Sequence, residues 1–305
     1  MGVMIDGRYR AEDPGVGTNE RGEFEREAST IRDWITTDGP FRPEPGRYHL
    51  YVAWNCPWAH RSLLTRAILG LEDAITVSYA RPRRTADGWV YDAEGPFADP
   101  CLGVSALHEV YARQKPGYTG RLTVPVLWDR ETEQIVSNES ADIVRMLSAF
   151  GRGPDLYPED LRDEIDRWNG LIYPGLNNGV YRAGFAETQE AYDKAVREVF
   201  DTLDLIEAQL GSTDFLTGER FTEADLRLFP TLARFDVAYH YAFKCNIRRI
   251  LDYPRLWLYA RRVYRMPGVM RTVDFEIYKR GYFSPSEKRN PLGIVPAGPL
   301  IDWSH

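Results

Sequence analysis

Cysteine is scarce in this chain. Three are spread over 305 residues, Cys56, Cys101 and Cys245, without a CxxC pair or a Cys/His ladder at ligand spacing. That argues against a disulfide scaffold and a structural zinc site, and no metal is expected. Long apolar runs are missing too: no window approaches the roughly 18 residues of a membrane span. The start, Met1-Gly2-Val3-Met4-Ile5-Asp6, lacks a signal-peptide core and the Ser or Thr of a myristoylation site, so a cytoplasmic protein without membrane attachment is expected. Basic residues are outnumbered, 38 Lys and Arg against 45 Asp and Glu, for a net charge of −7. Such a chain has no overall field to draw in nucleic acid. Its one basic run, Arg81-Pro82-Arg83-Arg84, reads as a solvated loop rather than a phosphate patch.

Against these absences stand 43% hydrophobic residues and an aromatic set of 8 Trp, 18 Tyr and 13 Phe. That composition suits a globular protein of one large or two ordinary domains.

Residues 1–46 are rich in Gly, Pro and charge and read as an extension whose function is not legible. From Tyr48 the segment Tyr48-His49-Leu50-Tyr51-Val52-Ala53-Trp54 is β-branched and aromatic and predicts a strand. Asn55 then caps a helix with Pro57 at its second position and Leu63, Leu64, Ala67, Ile68 and Leu71 at helical spacing; Gly70 stops it. Ala74–Tyr79 reads as a second strand, completing a βαβ unit. Arg81–Gly120 reads as a long irregular stretch, of the kind that is commonly functional. In Thr123–Asp129, Pro125 starts a strand, with a cis bond before it as one option. Ile135 and Val136 form a short strand, and Ser137-Asn138-Glu139-Ser140 cap a helix through Ile143, Met146 and Leu147. Beyond the Gly151–Pro154 linker the pattern is helical, with an apolar stripe from Tyr192 to Leu210 and a capping box at Thr222 and Asp225. The architecture expected is α/β plus all-α: an extension (1–46), a small α/β domain (47–153), a helical domain (154–289) and a tail (290–305).

Cys56 falls at the strand-to-helix junction, where unpaired backbone N–H groups and the helix dipole favour an anion. Its thiol is expected to ionise below the usual value of about 8.5 and to be nucleophilic. A buried structural thiol is the competing reading. Two residues on, Trp58-Ala59 stand where a dithiol oxidoreductase has its second cysteine, so Cys56 needs an external thiol to resolve a mixed disulfide. Cys101 and Cys245 read as packing residues.

Cys-Pro-Trp-Ala-His-Arg (56–61), Thr-Val-Pro-Val-Leu-Trp-Asp (123–129) and Ser-Asn-Glu-Ser (137–140) in a thioredoxin-like βαβ frame, followed by helices, resemble the glutathione S-transferases. The pieces Asn177-Asn178-Gly179-Val180-Tyr181, Phe243-Lys244-Cys245-Asn246 and Asn290–Pro296 look more closely like the Xi class, the S-glutathionyl-hydroquinone reductases. The resemblance implies a thioredoxin-like, thiol-binding N-terminal domain and an all-helical substrate domain. It implies glutathione as cosubstrate, thiol conjugates of hydroquinones as substrates, and a homodimer. Cys56 would be the nucleophile and Tyr181 the proton donor, a phenol of pKa about 10 being able to donate at neutral pH. Tyr239 and Tyr282 match tyrosines that lower the cysteine pKa by hydrogen bonds.

Thiol recognition falls, on the same resemblance, to Trp89, to Arg121, Leu122, Thr123 and Val124 around the proline turn, and to Glu139 and Ser140. The Val124 backbone can pair with a cysteinyl backbone, Glu139 can bind an α-ammonium, and Ser140 and Arg121 can hold carboxylates. Plain helix capping is the other reading of Glu139 and Ser140. Val52-Ala53-Trp54-Asn55 departs from the small residues usual before the nucleophile, and the loop after Trp89 differs in length. Those departures leave γ-glutamylcysteine or mycothiol open as the thiol. An omega-like thioltransferase or dehydroascorbate reductase, and a non-catalytic module that binds aromatic ligands, are the alternative functions.

Overall fold

A computed structural model describes residues 2–11, 17–114 and 117–304. The chain divides into two units, Met1–Val16 with Ala28–Pro154, and Gly17–Glu27 with Asp155–His305.

The first unit opens with a hairpin absent from the sequence reading, β1 (Val3–Ile5) and β2 (Arg8–Arg10). Asp6 and Gly7 join the strands at φ 48° and 74°, the left-handed pair that matches the twist of a two-residue hairpin. The main sheet begins with β3 (Tyr48–Ala53), buried at every position, and its parallel neighbour β4 (Ile75–Ala80). Next, β5 (Gly120–Arg121) pairs back onto β1, and β6 (Val126–Asp129) and β7 (Gln134–Ser137) complete the sheet antiparallel, in the order β4-β3-β6-β7. This is the expected thioredoxin-like arrangement. The Val124–Pro125 bond is cis.

Helix α1 (Pro57–Ile68) starts one residue later than the Asn55 cap predicts, because Cys56 is itself the cap. The cause is local: the Cys56 N–H donates to the Ala53 carbonyl at 3.0 Å, closing a turn that consumes Trp54 and Asn55. Gly70 ends the helix as expected, at φ 62°, with its N–H on Ala67 and that of Leu71 on Arg66 at 2.9 Å, the pairing of a glycine-terminated helix.

The stretch Arg81–Gly120, read as irregular, contains α2 (Leu107–Gln114). It buries Leu107, Val110 and Tyr111 at helical spacing, and the Glu109 carboxylate accepts from the Ser105 and Ala106 N–H groups, each at 3.0 Å. Helix α3 (Ser140–Ser148) packs on α1. Leu64 of α1 and Ile143 and Leu147 of α3 are fully buried, each worth about 1.5–3 kcal/mol of apolar transfer.

The second unit is helical: α4 (Arg162–Ile172), α5 (Gly179–Gly184), α6 (Gln189–Gln209), α7 (Glu223–Arg234), α8 (His240–Ala242), α9 (Pro254–Tyr264) and α10 (Phe275–Tyr282). The stripe Tyr192–Leu210 lies on α6, and Asp225 accepts from the Thr222 N–H at 2.9 Å, closing the start of α7 as expected. Two wide π-helical turns, Tyr173–Asn177 and Phe235–Tyr239, interrupt the helices. Such turns re-aim the residues that follow.

Candidate functional site

Cys56 stands half-buried at the N-terminus of α1, its Sγ 3.5 Å from the Val124 carbonyl oxygen. The edge of the cis-proline turn and the sulfur are thus neighbours. Cys56 is the N-cap of α1 but makes no side-chain capping hydrogen bond. One turn on, Arg61 is 2% exposed, its guanidinium 4.6 Å over the Trp58 ring. Its Nη1 lies 3.5 Å from Ser140 Oγ at the start of α3. Glu139 caps that helix, Oε1 accepting from the Ala141 N–H at 3.0 Å. Glu139 thus makes the capping contact that was the other reading of this pair.

The proline turn is held from beneath. Tyr111 donates to the Thr123 carbonyl at 3.0 Å and accepts from Asn138 Nδ2 at 3.2 Å. Burial pushes the Tyr111 phenol up to about 12, so it remains a donor. Leu122 and Val124 are buried, Thr123 and Arg121 half-buried. Tyr118 donates to the Arg121 carbonyl at 3.3 Å.

Trp89 is 6% exposed, with Arg84 4.6 Å over its ring and its carbonyl accepting from the Leu107 N–H at 2.9 Å. The Arg81–Arg84 run is thus partly employed in packing, and Arg81 pairs with Asp92 at 2.7 Å. The turn that returns the chain to Leu107 is gathered on Asp99, which accepts from the N–H groups of Cys101, Leu102 and Val104 at 3.0, 3.2 and 3.1 Å. Bulky Trp54 stacks on Tyr79, ring centroids 4.8 Å apart.

In the helical unit Tyr181, Tyr239 and Tyr282 come together. The Tyr282 hydroxyl is 2.8 Å from that of Tyr181 and 3.0 Å from that of Tyr239. Each comes from a separate element: α5, the turn before α8, and the end of α10. Phe243 packs edge-on to Tyr181 at 5.2 Å, and a Cβ on Gly184 would run into the Phe243 ring, so α5 needs glycine there. Desolvation drives the Tyr239 and Tyr282 phenols well above their ordinary value, with neighbouring tyrosines adding to it.

Two family models match the chain: the glutathione S-transferase N-terminal domain over residues 55–149 and the C-terminal domain over 189–262. It is 45% identical to the glutathionyl-hydroquinone reductase YqjG of Escherichia coli, over 99% of this chain and 96% of that protein. The chain belongs to the glutathione S-transferase family, in its Xi class of glutathionyl-hydroquinone reductases. A Xi-class transferase from Natrialba magadii superimposes with a TM-score of 0.93 at 43% identity, covering 100% of this chain and 95% of that one. The glutathione-bound YqjG structure gives 0.86 at 45% identity, over 90% and 94%.

In this Xi-class chain two residues escaped the sequence reading. Arg61 had a signal, its place in the Cys56–Arg61 motif. Arg26, from the N-terminal segment, lies 4.8 Å over the Tyr181 ring with no local signal at all. Cys245 is fully buried and its thiol pushed up by burial, while Cys101 is half-buried and pushed up by burial as well, in keeping with packing roles. Among the described residues no group of three His, Cys, Asp or Glu could hold a metal ion, and no helix is long and apolar enough to cross a membrane.

Proposed function

We propose that the chain is a thiol-dependent reductase that removes glutathione from S-conjugated hydroquinones through Cys56. The observation that carries this is the cysteine at the N-terminus of α1 beside the cis-proline turn, in a chain whose relatives bear that activity in their names. Val124, Glu139, Ser140, Arg121, Leu122, Thr123 and Trp89 form the surface assigned to the thiol.

The Cys56 thiolate attacks the glutathionyl sulfur. The carbon–sulfur bond breaks, its electron pair stays on the aromatic carbon, and that carbon takes a proton from Tyr181. A second glutathione, as thiolate, attacks the Cys56 mixed disulfide, releasing disulfide glutathione, and its proton restores Tyr181. The conjugate is reduced and two glutathione sulfurs are oxidised, so no further redox partner is needed. Burial holds the Tyr239 and Tyr282 phenols well above their ordinary value, and in this reading they take the role of hydrogen-bond donors. A homodimer belongs to the same reading.

Cys56→Ala is expected to abolish hydroquinone release from S-glutathionyl-menadiol. Tyr181→Phe should slow release by about 10²–10⁴-fold while sparing reduction of small disulfides, which needs no protonated carbon. Full-rate release by Cys56→Ser would refute the proposal, and a Tyr181→Phe protein that keeps its rate on both substrate types would point to the thioltransferase alternative, which has no need of the phenol.

A further inference from the structure

The segment Gly17–Glu27 has no part in the reaction above, yet it folds as part of the helical unit. It grips the turn between α5 and α6. The Glu187 N–H donates to the Gly22 carbonyl at 3.0 Å, Thr188 Oγ1 to the Arg21 carbonyl at 3.0 Å, and Lys194 pairs with Glu23 at 2.8 Å. Phe24, 7% exposed, meets the Phe185 ring at 5.2 Å. The segment then delivers Arg26, whose guanidinium carbon lies 4.8 Å from the Tyr181 ring centroid. Arg26 Nε donates to Asn178 Oδ1 at 2.7 Å, and Asn178 caps α5, the helix that bears Tyr181. The cation is therefore tethered to the same element as the phenol, and it lies 5.3 Å over the Phe24 ring as well.

Phenolate charge spreads from the oxygen into the ring, so a guanidinium over the ring face attracts the tyrosinate more than the neutral phenol. We infer that Arg26 is a positioning residue for proton transfer: laid over Tyr181 and tethered by Asn178, it favours the tyrosinate left when the phenol gives up its proton. This rests on the reading of Tyr181 as the proton donor. Other groups face Tyr181 too: the Tyr282 hydroxyl from α10, the Tyr239 ring at 6.0 Å, the Phe243 ring at 5.2 Å, and Phe185 stacked at 6.1 Å, with Arg289 4.2 Å over the Phe185 ring. Arg234 acts on Tyr239 and Tyr282 as a cation. Arg26 lies over the Tyr181 ring itself.

The test compares Arg26→Met and Arg26→Lys in the full chain. Arg26→Met should lower kcat for S-glutathionyl-menadiol by roughly 3- to 30-fold, leave KM unchanged, and move the alkaline limb of the kcat profile to higher pH. Arg26→Lys should restore part of the rate, and Arg26→Met should add nothing in a Tyr181→Phe background. An unchanged rate and profile, or an equal loss in that background, overturns the inference. Loss of fold is separated by near-ultraviolet circular dichroism and by the lysine variant, which keeps the charge. Fluorotyrosine labelling with ¹⁹F detection gives a readout independent of turnover: the Tyr181 signal should titrate at higher pH in Arg26→Met, and coincident midpoints again overturn the inference. Failure of the reductase reading would show separately, as wild-type protein that releases no hydroquinone.

Discussion

Replacing Asp99 should unfasten the loop that carries Trp89. Its side chain is fully buried and accepts five hydrogen bonds. Oδ1 takes Ser78 Oγ at 2.6 Å and the Cys101 N–H at 3.0 Å. Oδ2 takes the Leu102 and Val104 N–H groups and the Tyr51 hydroxyl, the last at 3.3 Å. A hydrogen bond to a charged group is worth about 1.5–3 kcal/mol, and a stranded buried donor costs about 1–3 kcal/mol. These do not add fully, since Ser78 Oγ also has His49 Nε2 at 2.8 Å to turn to. Asp99→Ala should therefore lose about 3–5 kcal/mol, and Asp99→Asn less, because it keeps the shape.

The pH dependence sharpens this. Burial by itself raises the Asp99 carboxyl, but the bonds from Ser78 and the amides of Cys101, Val104 and Leu102 outweigh it, and the net shift is downward. A depressed carboxyl stabilises the fold above the unfolded value of about 3.9 and loses that contribution as pH falls through the folded one. In urea titrations the gap between wild type and Asp99→Asn should be full at neutral pH and should close under strong acid. On the proposed function, Asp99→Asn should raise KM for the conjugate while Cys56 alkylates at the wild-type rate. An Asp99→Ala protein with a wild-type midpoint, or a gap indifferent to acid, would refute the reasoning.

Asp225 accepts from Leu216 N–H, Thr222 N–H and the Tyr259 hydroxyl, each at 2.9 Å, so Asp225→Ala should lower unfolding free energy by about 2–4 kcal/mol in denaturant melts. Burial raises its carboxyl to about 6, so its contribution is complete below about 3.9 and declines as pH rises through that folded value; Asp225→Asn should gain on wild type over that interval, and a constant difference would contradict the assignment. Tyr282→Phe removes the hydroxyl bridging Tyr181 and Tyr239 and should cut kcat by about 2- to 12-fold with little change in KM; an unaltered kcat would show the bridge to be idle in catalysis.

Features signalled within a few residues were readable in advance. The β3–α1–β4 unit announces itself by its aromatic strand, Pro57 and Gly70; the α6 stripe and the Thr222–Asp225 box do so by spacing. Where the reading erred, a weaker local signal competed. Asn55 is a good cap by type, but the Cys56 N–H closes a turn on Ala53 first. Helix α2 is 8 residues long inside a Gly- and Pro-rich stretch that hides its three buried apolar positions. The β1–β2 hairpin was not read, because strands of 3 residues carry too little pattern, and β1 gains its second partner from β5, far along the chain.

The sequence by itself determined the station of the candidate nucleophile: Cys56, ahead of Pro57, after a strand and before a helix. Those are contacts between adjacent residues, dictated by backbone preferences. Only the tertiary structure decided what stands around the candidate groups. Arg61 reaches Ser140 across 79 positions, Tyr181 reaches Tyr282 across 101, and Arg26 reaches Asn178 across 152. Such meetings depend on how helices pack, and packing is driven by apolar burial that is non-directional. Many Leu, Ile and Phe patterns would satisfy that burial without naming which polar side chains it brings face to face.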